Sequence, residues 1–328
     1  MLVVLFHAGL SQNISINVGE AWIGLFFVTS GFFFWFMSAG RQEEPHLFLL
    51  RRLARLVPIY WIITLLCAGL WFSRYANAGQ LVDHLLKSLM FFPHPDPLTG
   101  KVYPLLVPGW TLVYEMFFCL YFSASLFLQL RDRLVALTLG LATLIALGLV
   151  FKSSDPVWLT VTNPEILAEF AAGLWIGRYA EQIRPSQFMS WVLLAGGVIL
   201  APVTQAFKSS LPLILVSGAP AIIMMIGVLG ADRYPTREIP LLKRLGDGSY
   251  SIYVWHAVFV SIIKRLALIA GITNPVITIG IMLLASGGIG LMMFDLLEKP
   301  LTEWLYGLVN RMDPSKRKPR IMTAPSAG

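Results

Sequence analysis

The sequence predicts an all-α fold, a polytopic integral membrane helical bundle of about ten spans whose first span is half-length. Three observations predict it. Of 328 residues 56% are hydrophobic and only 13% charged, where a soluble domain carries about 25% charged residues; mean hydropathy is +0.70. Apolar runs long enough to cross a hydrocarbon core recur along the chain. Arginine and lysine gather in alternate connections between those runs.

The first ten residues, MLVVLFHAGL, precede the polar stretch SQNISINVG. They cover about 15 Å, half of a hydrocarbon core. With no basic leading region and no A-x-A-like site they are not a signal peptide. They read as the second half of a span, which points to a late start or a truncation. Full or nearly full spans are expected at 20–40, 56–73, 109–130, 134–151, 165–180, 187–206, 211–230, 249–263 and 275–297. The weakest are 165–180, which is short and contains Glu165 and Glu169, and 249–263, expected to stop at Lys264-Arg265. The longest connection, 74–108, contains HPDPLTGKVYPLLVPGW, whose prolines and turn residues exclude a long helix. Its segment 81–92 fits a short amphipathic helix on the membrane surface. No hydrophilic stretch is long enough for a second domain, so residues 1–311 form one membrane domain. Residues 312–328 are expected to be a disordered basic tail.

In a soluble chain the net charge of +7 would point to nucleic acid; here the placement of the basic residues decides. If 11–19 lies outside and the spans alternate, 18 of the 25 lysines and arginines fall inside. Outside are Arg74, Lys87, Lys101, Lys152, Lys208, Lys264 and Arg265. The bias puts the C-terminus in the cytoplasm. Cys67 and Cys119 both fall within spans, with neither metal spacing nor a disulfide framework, and read as small buried hydrophobes. No Walker-type loop, dinucleotide fingerprint, G-x-S-x-G or H-E-x-x-H occurs.

Three ionisable residues are stranded in apolar runs: His7, Glu115 and His256. Titratable groups in hydrocarbon are costly and mark pathways, relays or sites. His7 lies four residues from Ser11, near the outer edge, where a helix-end imidazole bonded to a neighbour is the plain alternative. Glu115 is about 9 Å deep and must be paired, hydrogen-bonded or protonated, in a site or a structural ion pair. Ser249, Tyr253 and His256 share one helical face, which turns to other helices or a cavity. Arg51 and Arg55 share a face at the inner edge of FLLRRLARLVPIYW. They mark topology and anionic-lipid contact, or clamp the phosphates of a donor such as a coenzyme A thioester. Ser30-Gly31, midway along a span, fits close helix packing. His46, His84 and His94 fall in loops or on the surface segment and are expected to lack enclosure.

LVVLFHAGL, FFVTSGF, FLLRRLARLVPIYW, GWTLVYEMFF, LGDGSYSIYVWHAVF and LEKPL, in this order, resemble the membrane-bound acyltransferase family 3, in particular its exopolysaccharide acetyltransferase branch. The pieces run from residue 2 to residue 301 and are specific as an ordered set. The resemblance implies an enzyme moving an acyl group, commonly acetyl, from acyl-CoA to a carbohydrate hydroxyl in the bacterial inner membrane. Acyl-CoA is then a co-substrate, with no permanently bound cofactor or metal; the partners are lipid, carbohydrate acceptor and acyl-CoA, and not nucleic acid. His7 matches the family's first-helix histidine, taken as the general base, with Glu115 expected to fix its tautomer. Arg51 and Arg55 match the R-x-x-R pair, expected to hold acyl-CoA. Trp110 and Glu115 match W-x-x-x-x-E, and Ser249, Tyr250 and His256 match the late S-Y-x-x-Y-x-x-H segment. Tyr250 is the expected oxyanion donor. The chain departs from the family in having no arginine ahead of His7 and in Gly24, where an acidic residue is common. The competing functions are a transporter or flippase using the same groups as a proton relay, and a non-catalytic subunit of a polysaccharide export system; the inverted repeats common in transporters are not evident.

Overall fold

A computed structural model describes residues 1–12, 19–39, 44–212, 214–234 and 239–313, with backbone alone for 2 and 19–21. Most of the basic tail therefore lies outside the described residues. The helices, in order, are α1 Leu2–Ser11, α2 Gly19–Ser38, α3 Pro45–Leu70, α4 Ala78–Leu89, α5 Trp110–Ser125, α6 Leu130–Val150 and α7 Pro156–Val161. They continue with α8 Pro164–Tyr179, α9 Gln187–Ala206, α10 Ala219–Ala231, α11 Pro240–Asp247, α12 Ser249–Ile269, α13 Pro275–Met293 and α14 Lys299–Met312. No strand occurs among the described residues; the chain is an all-helical membrane bundle. Among the described residues six stretches are long and apolar enough to cross a bilayer alone: α3, α6, α9, Ile214–Ala231, α12 and Pro275–Met312. α1, α2, α5 and α8 complete the bundle as shorter apolar helices.

Local chemistry sets the boundaries. Asn77, Asp155, Asn163, Ser186 and Asn274 each accept a backbone N–H from the first turn of α4, α7, α8, α9 and α13. Proline opens α3, α7, α8, α11 and α13 within the first two positions, where its missing N–H costs nothing. Several expected ends move. α3 starts at Pro45, so the arginines of FLLRRLARL ride on the helix rather than precede it. α12 runs through Lys264 and Arg265 to Ile269, because both are good helix formers whose exposed side chains reach water. It stops where Gly271 takes φ +70. The last span does not end at 297: a π-helical turn, Phe294–Glu298, carries it on into α14. A second π turn, Ile214–Gly218, leads α10. α7 and α11 were not expected from the sequence, while α4 is the amphipathic helix expected at 81–92, starting three residues earlier at its asparagine cap.

The core is aromatic. Phe27, Phe34, Phe48, Phe118, Phe122 and Phe170 are buried together, with Phe118 and Phe170 stacked at 3.9 Å. α2 and α8 cross through glycines, as Ser30-Gly31 predicts: a Cβ on Gly31 would stand 3.0 Å from the Leu174 backbone nitrogen and 3.1 Å from Gly173 Cα. Cys67 and Cys119 are fully buried and free.

The 74–108 segment does more than cross the surface. Tyr60 of α3 donates to the Ser88 carbonyl at 3.1 Å, and the Leu105 N–H donates to the Ser88 hydroxyl at 2.8 Å. Leu105, Leu106, Pro108 and Gly109 are buried, so the chain dives into the bundle before α5 begins. This explains how α5 serves with only 16 residues. His84 and His94, expected to lack enclosure, are both buried, with His94 Nε2 and His84 Nδ1 2.9 Å apart. Burial by this infolded loop is what sequence spacing does not display.

Candidate active site

Because α3 is helical from Pro45, each residue step rotates a side chain by about 100°. Arg51 and Arg52 thus stand about 40° and 60° from Arg55, to either side of it, so spacing lets either share its face and their contacts decide. Arg51 Nη2 pairs with Asp313 Oδ2 at 2.7 Å, tying the end of α14 to α3. The expected donor pair Arg51 and Arg55 is thus corrected: Arg52 stands with Arg55, its guanidinium 4.4 Å above the Phe34 ring.

Both arginines line a cavity of about 660 Å³ enclosed by α1, α2, α3, α5 and α12. Ser30, Glu115, Ser249 and Tyr250 line it too. Glu115 is buried, with the Ser30 hydroxyl beside it and Arg52 and Arg55 as its neighbouring charges. Its Oε2 has no hydrogen-bond partner among the described residues. Glu298, from the π turn, lies next to Ser251 and is a second acidic neighbour of Arg55. The sequence reading did not single out Arg52 or Glu298; the signals available were a third arginine in the motif and the acidic residue of LEKPL.

The expectation that Tyr250 donates to an oxyanion is also corrected. Its hydroxyl donates to the Leu56 carbonyl at 2.5 Å, so its one proton is committed. Trp22 is better placed: it lines the same cavity, and its indole Nε1 is buried without an acceptor among the described residues.

His7 on α1 and His256 on α12 are packed ring to ring, with centroids 5.0 Å apart. His256 Nδ1 bonds the Tyr253 carbonyl. A carbonyl only accepts, so Nδ1 carries the proton and Nε2 keeps a lone pair; that Nε2 is buried and unpartnered among the described residues. Tyr253 in turn donates to the Pro108 carbonyl at 2.7 Å and lies 2.6 Å from Thr111 Oγ1. The partner of His7 is therefore an imidazole and not Glu115, whose neighbours are Ser30 and the arginines. The histidine pair stands beside the cavity, one turn from Val3, Val4 and Ile252 of its wall. Trp110 is elsewhere: it lines a separate cavity on the opposite face of α5.

Gly24 explains its own departure. A Cβ there would stand 2.7 Å from the Ser217 carbonyl oxygen and 2.8 Å from Glu169 Oε1. The carboxyl of Glu169, hydrogen-bonded by Ser217 at 2.5 Å, occupies the space a side chain at 24 would need.

A helical membrane bundle whose cavity holds two arginines and a glutamate, with an imidazole pair beside it, has the groups that a membrane-embedded group-transfer enzyme needs. Residues 1–293 match the acyltransferase domain family, and the chain belongs to it. It is 36% identical over 305 residues to the exopolysaccharide production protein ExoZ of Rhizobium meliloti (strain 1021), covering 91% of this chain and 94% of that protein. No solved structure matches.

Proposed function

We propose that this membrane O-acyltransferase moves an acyl group, acetyl in the simplest case, from acyl-CoA to a carbohydrate hydroxyl in exopolysaccharide production. The observation that carries the donor half is the arginine cavity. A coenzyme A thioester presents phosphates, and two guanidiniums on one face of α3 offer forked donors to them. The charge bias supports a cytoplasmic position for this side of the bundle, where acyl-CoA is made.

In the transfer, the acceptor oxygen attacks the thioester carbonyl carbon while His7 takes the hydroxyl proton. Trp22 Nε1–H is a free donor for the oxyanion that develops. Collapse breaks the carbon–sulfur bond, and the thiolate leaves with the proton that His7 returns. His256, its tautomer fixed by the Tyr253 carbonyl, packs against the His7 ring and keeps Nε2 as an acceptor beside it.

The test is acyl transfer from radiolabelled acetyl-CoA by the purified protein. Arg52→Ala is expected to raise the donor KM by about tenfold to a hundredfold, the loss of a charge-assisted contact of about 1.5–3 kcal/mol. Arg51→Ala, which faces Asp313, is expected to leave it unchanged. An unchanged donor KM in Arg52→Ala with normal insertion removes the arginine face from the donor site.

A further inference from the structure

The first turns of α5 separate two cavities. Leu112 and Glu115 face the arginine cavity; Trp110, Val113 and Tyr114 face another of about 440 Å³. The second lies between the infolded loop, the end of α6, α7 and the start of α8. None of the residues argued above to hold the donor lines it, so its occupant is a different molecule.

Its chemistry is mixed in a particular way. Phe92, Tyr103, Trp110 and Tyr114 supply aromatic surface. Thr160, Thr162, Asn163 and Lys152 supply polar groups. The Thr160 hydroxyl donates to the Pro156 carbonyl at 2.8 Å and Thr162 to the Trp158 carbonyl at 2.7 Å, so the Thr162 oxygen still accepts. Asn163 Oδ1 takes the Glu165 and Ile166 N–H groups, and the Asn163 and Thr160 side chains both meet the Tyr114 hydroxyl, so these three form one polar group in the wall. Lys152, at the exposed rim, adds an ammonium. A lipid chain here would meet a wall of hydroxyls, an amide and an ammonium without matching them, and no carboxylate lines the cavity to favour a cation.

The wall is built in advance. Phe91 adopts φ 55, a left-handed conformation that a bulky residue avoids, and stacks on Tyr60 at 4.7 Å. That turn redirects Phe92 and His94 to the cavity. The His94–His84 contact and the bridge between Pro95 and Val102 then brace the loop.

We propose that this cavity is a glycan-binding subsite for the acceptor, stacking the C–H faces of pyranose rings on Phe92, Tyr103 and Trp110 while the threonines, Asn163 and Lys152 bond sugar hydroxyls. The volume falls within the range of small-molecule sites, about 300–1,000 Å³. Aromatic faces with adjacent donors and acceptors match a pyranose, which is apolar on its ring faces and hydroxylated around its edge. The proposal rests on the carbohydrate-acyltransferase reading, but its test does not depend on turnover.

The test is equilibrium dialysis of radiolabelled cellotetraose and a β-linked galactose tetrasaccharide against the purified full-length protein. Saturable binding of at least one is expected, about tenfold weaker in Phe92→Ala and in Tyr103→Ala, the loss of one stacking face. Acetyl-CoA binding, measured on the same samples, is expected to be unchanged, which shows the variants folded. Absence of saturable sugar binding by the wild type, or equal binding by wild type and both variants, overturns the subsite. Acyl-CoA turnover by the same preparation reads the enzyme assignment separately: sugar binding without turnover supports the subsite while counting against the transferase reading.

Discussion

The His256 proton sits on Nδ1 because the Tyr253 carbonyl only accepts, and this single constraint orders the roles of the two histidines. His256 keeps a fixed acceptor, while His7, half-buried on α1, is the ring free to exchange a proton with substrate. His7→Ala is therefore expected to lower kcat by about a thousandfold with donor binding intact, a loss within the range of general-base catalysis. His256→Asn preserves a donor toward the Tyr253 carbonyl but removes the acceptor. It is expected to cost less and to shift the pH dependence of kcat, because the imidazole beside His7 is gone. Near-normal turnover in His7→Ala together with a dead His256→Asn exchanges the two assignments.

Among the elements, the infolded 74–108 segment couples burial to pH. His84, on α4 and outside the spans, is pushed down to about 4, first by burial and then by neighbouring His94, against smaller raising effects of Asp96 and Asp83. The unfolded segment has the ordinary histidine value, about 6.5, so between these values it binds more protons than the folded one. The stability contributed by the neutral pair is present above about pH 6.5 and is lost as pH falls toward 4. Limited proteolysis of the 92–104 loop is expected to accelerate across that window, and His84→Phe, which cannot charge, is expected to flatten the dependence. A cleavage rate that ignores pH from 7 to 4 in the wild type rules out the coupling. The same element accounts for α5: its N-terminus is reached through buried Pro108 and Gly109, so 16 residues suffice.

At the scale of the molecule, the charge bias and the two cavities give the bundle a direction. The arginine cavity belongs to the side carrying α11 and the end of α14; the second cavity belongs to the side carrying α4 and the 74–108 segment. The sequence assigns 18 of the 25 basic residues to the inside connections, so the first side is expected to face the cytoplasm. Single cysteines placed at Lys101 and Leu241, both exposed, test it in intact cells with an impermeant maleimide. Labelling is expected at 101 and not at 241; the reverse pattern inverts the topology. Native Cys67 and Cys119 are buried and give little background.

Hydropathy, charge alternation and the ordered motifs made the helical bundle and the acyltransferase family legible in the chain, because a bilayer demands long apolar helices and positive loops wherever the fold is placed. That Ser30, Arg55, Glu115, Ser249 and Tyr250 line one cavity follows for a related reason: polar groups in apolar runs must converge on each other. Their pairings were not legible. Whether Arg51 or Arg52 faces the cavity turned on Phe34 and on an Asp313 distant in sequence. That His7 meets His256 rather than Glu115, and that Tyr250 has spent its proton on Leu56, depends on which helices lie side by side. The burial of His84 and His94 and the second cavity arise from a polar-looking loop that folds inward, its backbone groups satisfied by Ser88. Local pattern specifies which side chains must leave lipid; the packing of separate helices specifies which partner each of them finds.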